Sequence, residues 1–290
     1  MRISGLTTIA GVIGDPIGHS LSPALHNAAF AALGLDWAYL AFPVAPQDVR
    51  AALTGAVALG VRGLSVTMPH KVAAAKSADQ RTPAVELLGA ANTIVVRSGM
   101  SVAHSTDGAG LLADLRDGAG FEPSGRRCVV LGAGGAARAT VLALATAGAA
   151  SVVVVNRTAA RAELAARLAG PSGRVGTVDD VADAELVVNA TPVGMEPTRG
   201  HGPSAPRPGG AEDLSSLGSR LAAGQLAVDL VYAPRETPFL AAASAQGAGT
   251  RNGLGMLVGQ AAVAFQLWTG EQAPLEQMWA AVEEATPPSA

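Results

Sequence analysis

A glycine pattern near the middle of the chain has the spacing of a dinucleotide-binding turn. An apolar run at residues 129–131 ends at Gly132, and the following residues fit Gly132-x-Gly134-x-x-Ala137. The first glycine permits a tight turn, the second lets a pyrophosphate approach the backbone, and the small third residue lets a helix pack on its strand. An alanine-rich helix and a strand at residues 152–155 should follow. This context favours a nucleotide site over the alternative, a glycine-rich turn that binds nothing.

The residues after that second strand indicate which nicotinamide cofactor is bound. Asn156-Arg157-Thr158 stands where an NAD-preferring site usually has Asp or Glu, and Arg161 follows shortly after. A carboxylate would repel a ribose 2′-phosphate, whereas a guanidinium binds it in a fork geometry. We therefore predict NADP(H) as the cofactor. The alternative is that these arginines are solvated surface charges.

Polar residues follow apolar segments in the first 110 residues. Ligands of parallel α/β sheets gather beyond the carboxyl ends of the strands, so these side chains are expected to converge: Ser20, Ser22, Thr67, Lys71, Asn92 and Asp107. Ser20 and Ser22 flank Leu21, so their hydroxyls share a face in an extended backbone. Ser22 is also expected to cap the next helix, with Pro23 at its first position.

Predicted strands alternate with predicted helices, which favours an α/β fold with a mostly parallel sheet. The predicted strands lie at residues 9–13, 37–44, 63–66, 90–96, 129–131, 152–155, 186–189 and 226–232. The predicted helices lie at residues 23–30, 46–59, 108–115, 135–147, 159–168 and 256–268. A stretch rich in Pro and Gly at 198–210 predicts a surface loop.

The totals exclude several classes of protein. A length of 290 residues with 49% hydrophobic and 15% charged residues predicts a globular chain of about two domains. The net charge of −3, without basic runs, gives no reason to expect nucleic acid or an anionic membrane as partner. One cysteine, Cys128, rules out an internal disulfide, and the N-terminus is a poor signal peptide, so we predict a cytoplasmic protein. The five histidines lack metal-ligand spacing, and no metal is predicted.

Taken together, the motifs resemble the shikimate dehydrogenase family, whose members reduce 3-dehydroshikimate to shikimate with NADPH in the biosynthesis of chorismate and aromatic amino acids. The matching segments run through nearly the whole chain in one order: Gly14-Asp15-Pro16-Ile17, Ser20-Leu21-Ser22-Pro23, Val66-Thr67 with Pro69 and Lys71, Ala90-Ala91-Asn92-Thr93, Thr106-Asp107-Gly108, Gly132-Ala133-Gly134-Gly135-Ala136, Asn156-Arg157-Thr158, Asn189-Ala190-Thr191-Pro192-Val193-Gly194-Met195 and Gly255-Met256-Leu257-Val258 with Gln260-Ala261.

The resemblance implies a substrate domain (residues 1–107 and 252–290), a Rossmann NADP-binding domain (residues 108–251) and an active-site cleft between them. It implies Lys71 and Asp107 as the catalytic pair. The implied substrate contacts are Ser20, Ser22, Ser65, Thr67, Asn92, Tyr232 and Gln260. The implied cofactor contacts are Gly132, Ala133, Gly134, Gly135, Ala136, Asn156, Arg157, Thr158, Arg161, Thr191, Val231, Gly253 and Met256. The implied partner is a small-molecule substrate, and the protein would be a monomer or a homodimer.

The residue types suit hydride addition to a ketone. That reaction generates an alkoxide, which needs a proton donor and a positive charge nearby. Lys71 offers both, and Asp107 would hold the ammonium and bridge to a substrate hydroxyl, while favouring the charged form of the lysine. For either residue considered alone, a solvated surface charge is the more frequent role.

Three positions depart from the family pattern. Ser65 and Ser105 stand where Asn is common, and Asn252 stands where Asp is frequent. A serine lacks the paired donor and acceptor of an amide, so the substrate could also be quinate or an aminated shikimate analogue. The paired serines and the Asn-Arg-Thr turn favour shikimate with NADP. A non-catalytic NADP-binding sensor is the alternative from another class, disfavoured by the presence of Lys71 and Asp107.

Overall fold

The computed structural model describes residues 3–195 and 214–286. Within them the chain forms two compact units, residues 3–110 with 258–286 (unit 1) and residues 111–195 with 214–257 (unit 2). The functional division at residues 107/108 and 251/252 stays a prediction. The loop predicted at 198–210 lies outside the described residues.

The strands are β1 (Thr8–Gly14), β2 (Trp37–Pro43), β3 (Gly63–Val66), β4 (Gln80–Arg81), β5 (Thr93–Arg97), β6 (Met100–His104), β7 (Arg127–Leu131), β8 (Ser151–Val155), β9 (Gly173–Val175), β10 (Leu186–Asn189), β11 (Leu226–Asp229) and β12 (Gly249–Arg251). The helices are α1 (Ser22–Ala32), α2 (Val49–Ala58), α3 (Lys71–Ser77), α4 (Pro83–Leu88), α5 (Asp107–Ala113), α6 (Gly135–Thr146), α7 (Ala159–Ala166), α8 (Leu214–Gly218), α9 (Pro238–Ala245), α10 (Leu254–Thr269) and α11 (Leu275–Ala285).

The sheet of unit 1 has the strand order β2-β1-β3-β5-β6-β4. β1 runs parallel to β2 and β3, but β5 runs antiparallel to both β3 and β6. β5 and β6 form a hairpin in which Ser98 and Gly99 both have positive φ, the two-residue turn that matches the twist of paired strands. The prediction for 90–96 was therefore wrong at its start, since the strand begins at Thr93 and Asn92 precedes it. Because β5 is reversed, Asn92 still lies at the carboxyl edge of β3.

Helix α1 begins one residue earlier than a cap at Ser22 requires. Leu21 is its N-cap and Ser22 its first residue, so the predicted capping role of Ser22 was wrong. The Ser22 side chain is instead buried and lies near the Tyr39 phenol. The helix predicted over 46–59 opens as a short 3₁₀ turn at 46–48 and becomes α2 only at Val49.

The sheet of unit 2 has the order β12-β11-β10-β7-β8-β9, with every neighbouring pair parallel. Apolar clusters cover both faces: Cys128 and Val130 of β7 join one, and Val129 and Leu131 join the other. Burial on both faces explains why its strands appear as continuous apolar runs. The parallel sheet of unit 2 agrees with the predicted Rossmann domain.

Three predicted ends of strands and helices after residue 107 were wrong by two or three residues. The strand predicted to reach Tyr232 ends at Asp229, whose carboxylate accepts backbone and side-chain hydrogen bonds that begin the loop. The helix predicted over 159–168 ends at Ala166 and tightens into a 3₁₀ segment at 167–172, which contains Pro171. The helix predicted over 108–115 ends at Ala113 and continues as a π-helical turn at 114–118.

Among the helices of residues 3–195 and 214–286, none is long and apolar enough to cross a membrane. The same residues contain no group of three or more His, Cys, Asp and Glu side chains arranged to hold a metal ion.

A buried histidine lies at the centre of the aromatic core of unit 1. His26 of α1 stacks on Tyr39 with ring centroids 4.3 Å apart, and Phe30 and Trp268 lie against it. Neither of its ring nitrogens has a hydrogen-bond partner in the described part of the chain. Burial lowers the pKa of His26 to about 3, so the imidazole is neutral in the folded protein.

We expect His26 to make unit 1 sensitive to acid. Between pH 6.5 and 3 the unfolded chain binds a proton on this histidine that the folded chain does not, so the free energy of unfolding falls as pH falls. Lowering the pH from 7 to 4.5 should lower the free energy of unfolding by roughly 2–3 kcal/mol. His26→Leu, of similar volume, should remove that part of the pH dependence in denaturant titrations.

All three tryptophans of the chain, Trp37, Trp268 and Trp279, belong to unit 1, so tryptophan fluorescence follows its unfolding. Phe30→Leu is the matched control, because it alters the same cluster without a titrating group. An equal pH dependence in His26→Leu and the unmodified protein would contradict the prediction.

Candidate active site

Lys71 and Asp107 form a partly buried ion pair in unit 1. Lys71 is the first residue of α3, just after β3, and Asp107 is the first residue of α5, just after β6. Lys71 Nζ lies 2.6 Å from Asp107 Oδ2, and the two side chains are 19% and 8% exposed. The ammonium therefore keeps some access to solvent, while its carboxylate partner is almost enclosed.

Asn92 holds the other side of this carboxylate. Its Nδ2 donates to Asp107 Oδ1 and to Thr106 Oγ1, both at 2.8 Å, and its Oδ1 accepts the Thr106 backbone N–H at 2.7 Å. A third acceptor, Gln260 Oε1 of α10, lies 3.3 Å from Asn92 Nδ2. Since both oxygens of Asp107 are engaged, the carboxylate has one orientation, and it directs the lysine ammonium.

The candidate serines are connected through an aromatic hydroxyl. The Tyr39 hydroxyl donates to Ser65 Oγ at 2.7 Å, and the buried Ser22 lies near the same phenol. Ser20 Oγ accepts the Ser22 backbone N–H at 3.3 Å. Thr67 follows β3 directly and is half-buried, and its N–H donates to the Ile13 carbonyl of β1 at 3.0 Å. The structure thus places the five predicted residues Ser20, Ser22, Ser65, Thr67 and Lys71 after or at the ends of β1 and β3.

The glycine turn of unit 2 has the backbone that its spacing predicts. Gly132 has φ of +112°, and a side chain there would lie 3.1 Å from the Ala190 carbonyl oxygen. Gly134 is the N-cap of α6, so Gly135 and Ala136 form its first turn. Ala137 is fully buried in the cluster between helix and sheet. The N–H groups and positive dipole end of α6 suit a phosphate.

A buried polar network fixes the loops that follow β10 and β11. Asp229 Oδ1 accepts from Asn189 Nδ2 at 2.9 Å and from the Val231 N–H at 3.0 Å, and Asn189 Oδ1 accepts from Thr191 Oγ1 at 2.7 Å. Burial raises the pKa of Asp229, and Thr237 donates to its second oxygen at 2.7 Å. The candidate cofactor residues Thr191 and Val231 are therefore positioned by Asn189 and Asp229.

The remaining candidates of unit 2 divide into exposed and buried residues. Arg157, Thr158 and Arg161 lie exposed after β8, and Asn156 Nδ2 donates to the Thr158 carbonyl at 3.0 Å. The Gly253 N–H donates to the Val231 carbonyl at 3.1 Å, which joins the start of α10 to the loop after β11. Met256 is buried and Tyr232 is half-buried, and burial raises the pKa of the Tyr232 phenol.

Comparison with known proteins identifies the family. The model described as "Shikimate dehydrogenase substrate binding domain" matches residues 12–94, "Shikimate / quinate 5-dehydrogenase" matches 119–193, and "Shikimate 5'-dehydrogenase C-terminal domain" matches 253–283. A relative from Geobacter sp. (strain M21), named shikimate dehydrogenase (NADP(+)), is 47% identical over 285 residues, covering 94% of each chain. The chain belongs to the shikimate dehydrogenase family.

Solved structures of similar proteins have the same fold. Shikimate 5-dehydrogenase from Thermus thermophilus, in complex with NADP(H) and shikimate, is 36% identical with a TM-score of 0.83, covering 96% of this chain and 100% of that one. The ligand-free 5-ketofructose reductase of Gluconobacter sp. strain CHM43 is 31% identical with a TM-score of 0.80, covering 97% and 99%.

The three departures from the shikimate dehydrogenase pattern have different structural settings. Ser65 accepts from Tyr39, as described, whereas Ser105 is half-buried beside Thr106. Asn252 uses both halves of its amide: Oδ1 accepts the Leu254 N–H at 3.1 Å, and Nδ2 donates to the Arg235 carbonyl at 3.1 Å. An aspartate at 252 would keep the first bond but lack the second donor.

Sequence reasoning missed residues that hydrogen-bond to the candidate site residues. Thr106 was quoted within a motif and given no role, although it is 1% exposed and bound to Asn92. Tyr39 and Asp229 lay inside predicted strands and had no feature that set them apart from ordinary core or edge residues. A buried aspartate directly after three apolar strand residues was the one available signal, because such a carboxylate needs hydrogen-bond donors around it.

Proposed function

We propose that this chain catalyses the reversible NADPH-dependent reduction of 3-dehydroshikimate to shikimate. The observation that carries the proposal is the Lys71–Asp107 pair, held at 2.6 Å and anchored by the buried Asn92 amide. A protein that only binds NADP does not need this oriented ammonium. The names of the relatives, shikimate dehydrogenase (NADP(+)), support the same substrate and cofactor.

In this proposal the residues of unit 2 hold NADP(H). No atom lies within 4 Å of where a side chain at Gly134 would stand, which leaves room for a pyrophosphate, and the N–H groups of Gly135 and Ala136 face it. Arg157 with Thr158 and Arg161 receives the 2′-phosphate. Thr191, Val231, Gly253, Met256, Gly134, Ala133 and Asn156 complete the cofactor contacts. When bound, NADPH supplies the hydride. We assign residues 108–251 to this role, and residues 1–107 and 252–290 to the substrate.

Lys71 then has two tasks. Its positive charge stabilises the oxygen anion that develops on the substrate, and its Nζ donates the proton that converts this oxygen into a hydroxyl. Asp107 stays ionised and fixes the position of the ammonium. The neutral amine recovers a proton from solvent, to which it is 19% exposed. In the oxidation direction Lys71 accepts the proton.

The hydroxyls and carboxylate of the substrate are proposed to contact Ser20, Ser22, Ser65, Thr67, Asn92, Gln260 and Tyr232. A site that hydrogen-bonds a substrate hydroxyl rejects an analogue that lacks it, because buried polar groups are left unpaired. Quinate is the second candidate, favoured by the small Ser65 side chain and by the family description that covers both acids.

The test is oxidation of shikimate and of quinate, each with NADP and with NAD, followed at 340 nm, with reduction of 5-ketofructose as a further arm. We expect turnover with shikimate and NADP to exceed every other pairing by at least ~10-fold in kcat/KM, as one missing polar contact costs about that factor. Faster turnover of quinate or 5-ketofructose would contradict the proposed substrate. Tight NADPH binding without turnover of any of them would favour the sensor.

A further inference from the structure

Tyr39 lies in the edge strand β2 and reaches across the sheet to β3. Tyr39 is paired with Ala10 of β1, and Ser65 of β3 is paired with Val12 of β1. Ala10 and Val12 are two residues apart, so all four side chains share one face of the sheet. The tyrosine side chain spans β1 over the small Ala10, and its hydroxyl meets Ser65 Oγ at 2.7 Å.

Three sets of contacts fix Tyr39 in this position. The Asn27 amide of α1 bonds both backbone groups of Tyr39, accepting its N–H at 2.9 Å and donating to its carbonyl at 3.0 Å. The ring stacks on His26 at 4.3 Å and lies 5.9 Å from the Trp268 ring. Tyr39 is 1% exposed, so its hydroxyl has one location, which a substrate cannot shift.

The direction of the hydrogen bonds determines what Ser65 can offer. A tyrosine hydroxyl has one proton, which Tyr39 gives to Ser65 Oγ. Ser65 Oγ has thereby accepted its bond within the protein and retains its own proton. That proton is available to an acceptor oxygen of a ligand.

We propose that Tyr39 is a positioning residue for substrate specificity, which orients Ser65 as a hydrogen-bond donor toward an oxygen acceptor of the substrate. The arrangement replaces the amide that the family commonly has at position 65, whose NH₂ donates without assistance. It selects a ligand with a carboxylate, keto or hydroxyl oxygen at this point. The inference rests on the proposed function.

The test is a double-mutant cycle of Tyr39→Phe and Ser65→Ala, with KM for shikimate, KM for NADPH and kcat measured for each protein. Each single change should raise KM for shikimate about 10-fold, the usual effect of losing one ordered hydrogen bond. The double variant should also be raised about 10-fold rather than ~100-fold, because both changes remove the same interaction. KM for NADPH and kcat should stay within about 2-fold.

Two further variants separate positioning from general loss of stability. Leu53→Ala weakens the core of unit 1 on α2 without touching these hydroxyls, and it should leave KM for shikimate unchanged. Ser65→Thr keeps the accepting oxygen, so with Tyr39 present its KM for shikimate should stay within about 3-fold of that of the unmodified protein. When Ser65→Thr is combined with Tyr39→Phe, KM for shikimate should rise beyond that range. Tryptophan fluorescence checks that each variant is folded.

Additive effects in the cycle, or an unchanged KM for shikimate in Tyr39→Phe, would overturn the positioning role while leaving the proposed function intact. No shikimate turnover by the unmodified protein would instead overturn the proposed function, and this inference with it.

Discussion

Replacing Lys71 with alanine should lower kcat for shikimate oxidation by at least ~10²-fold, the usual contribution of a positioned proton donor or acceptor. KM for shikimate should change little, because the ammonium acts on the oxygen whose charge changes during the reaction. The removal also leaves Asp107 without its partner at 2.6 Å, in a site where that carboxylate is 8% exposed.

The matched control is Lys76→Ala, which removes an exposed lysine from the same helix α3. It should have the kcat of the unmodified protein. Asp107→Asn supplies the second arm: Asn92 would then face an amide, and the ammonium would lose its counter-charge, so kcat should again fall by at least ~10-fold. Turnover by Lys71→Ala within about 2-fold of the unmodified protein would remove Lys71 from the mechanism.

Replacing Arg157 with alanine should raise KM for NADPH by ~10–100-fold and leave KM for NADH nearly unchanged. A hydrogen bond to a charged group contributes about 1.5–3 kcal/mol, which corresponds to this range. NADH lacks the 2′-phosphate, so it loses nothing when the guanidinium is removed. The measurement is the initial rate of 3-dehydroshikimate reduction against the concentration of each cofactor.

Arg167→Ala is the control for this change. Arg167 is an exposed arginine beyond the end of α7, and its side chain is 75% exposed beside Glu163. Its loss alters the net charge by the same amount, so both cofactors should keep their KM values. A similar rise in KM for NADPH and NADH in Arg157→Ala would show that the 2′-phosphate is read elsewhere.

Local backbone requirements explain which parts of the site were predictable. The turn from β7 into α6 depends on residues close together in the chain, because Gly132 must adopt positive φ and Ala137 must pack closely. Such constraints are visible in a short window of sequence. The apolar strands of unit 2 were visible for the same reason, since both of their faces are buried.

The direction of a strand within its sheet could not be predicted from such a short window of sequence. The segment at 90–96 has an apolar run that suits a parallel or an antiparallel strand equally well, and only the hairpin with β6 decides that β5 is reversed. That reversal determines where Asn92 lies. The end of the predicted strand 226–232 likewise depended on Asp229, whose donors come from residues 189, 231 and 237.

By itself, the sequence determined the fold class, the dinucleotide turn, the family and the identity of the candidate groups, because each depends on residue type and short-range spacing. Only the tertiary structure decided how those groups are held. Asn92 meets Gln260 across 168 positions of the chain, and Tyr39 meets Ser65 by crossing β1. Contacts of this kind follow from strand order and register, which no local pattern of residues specifies.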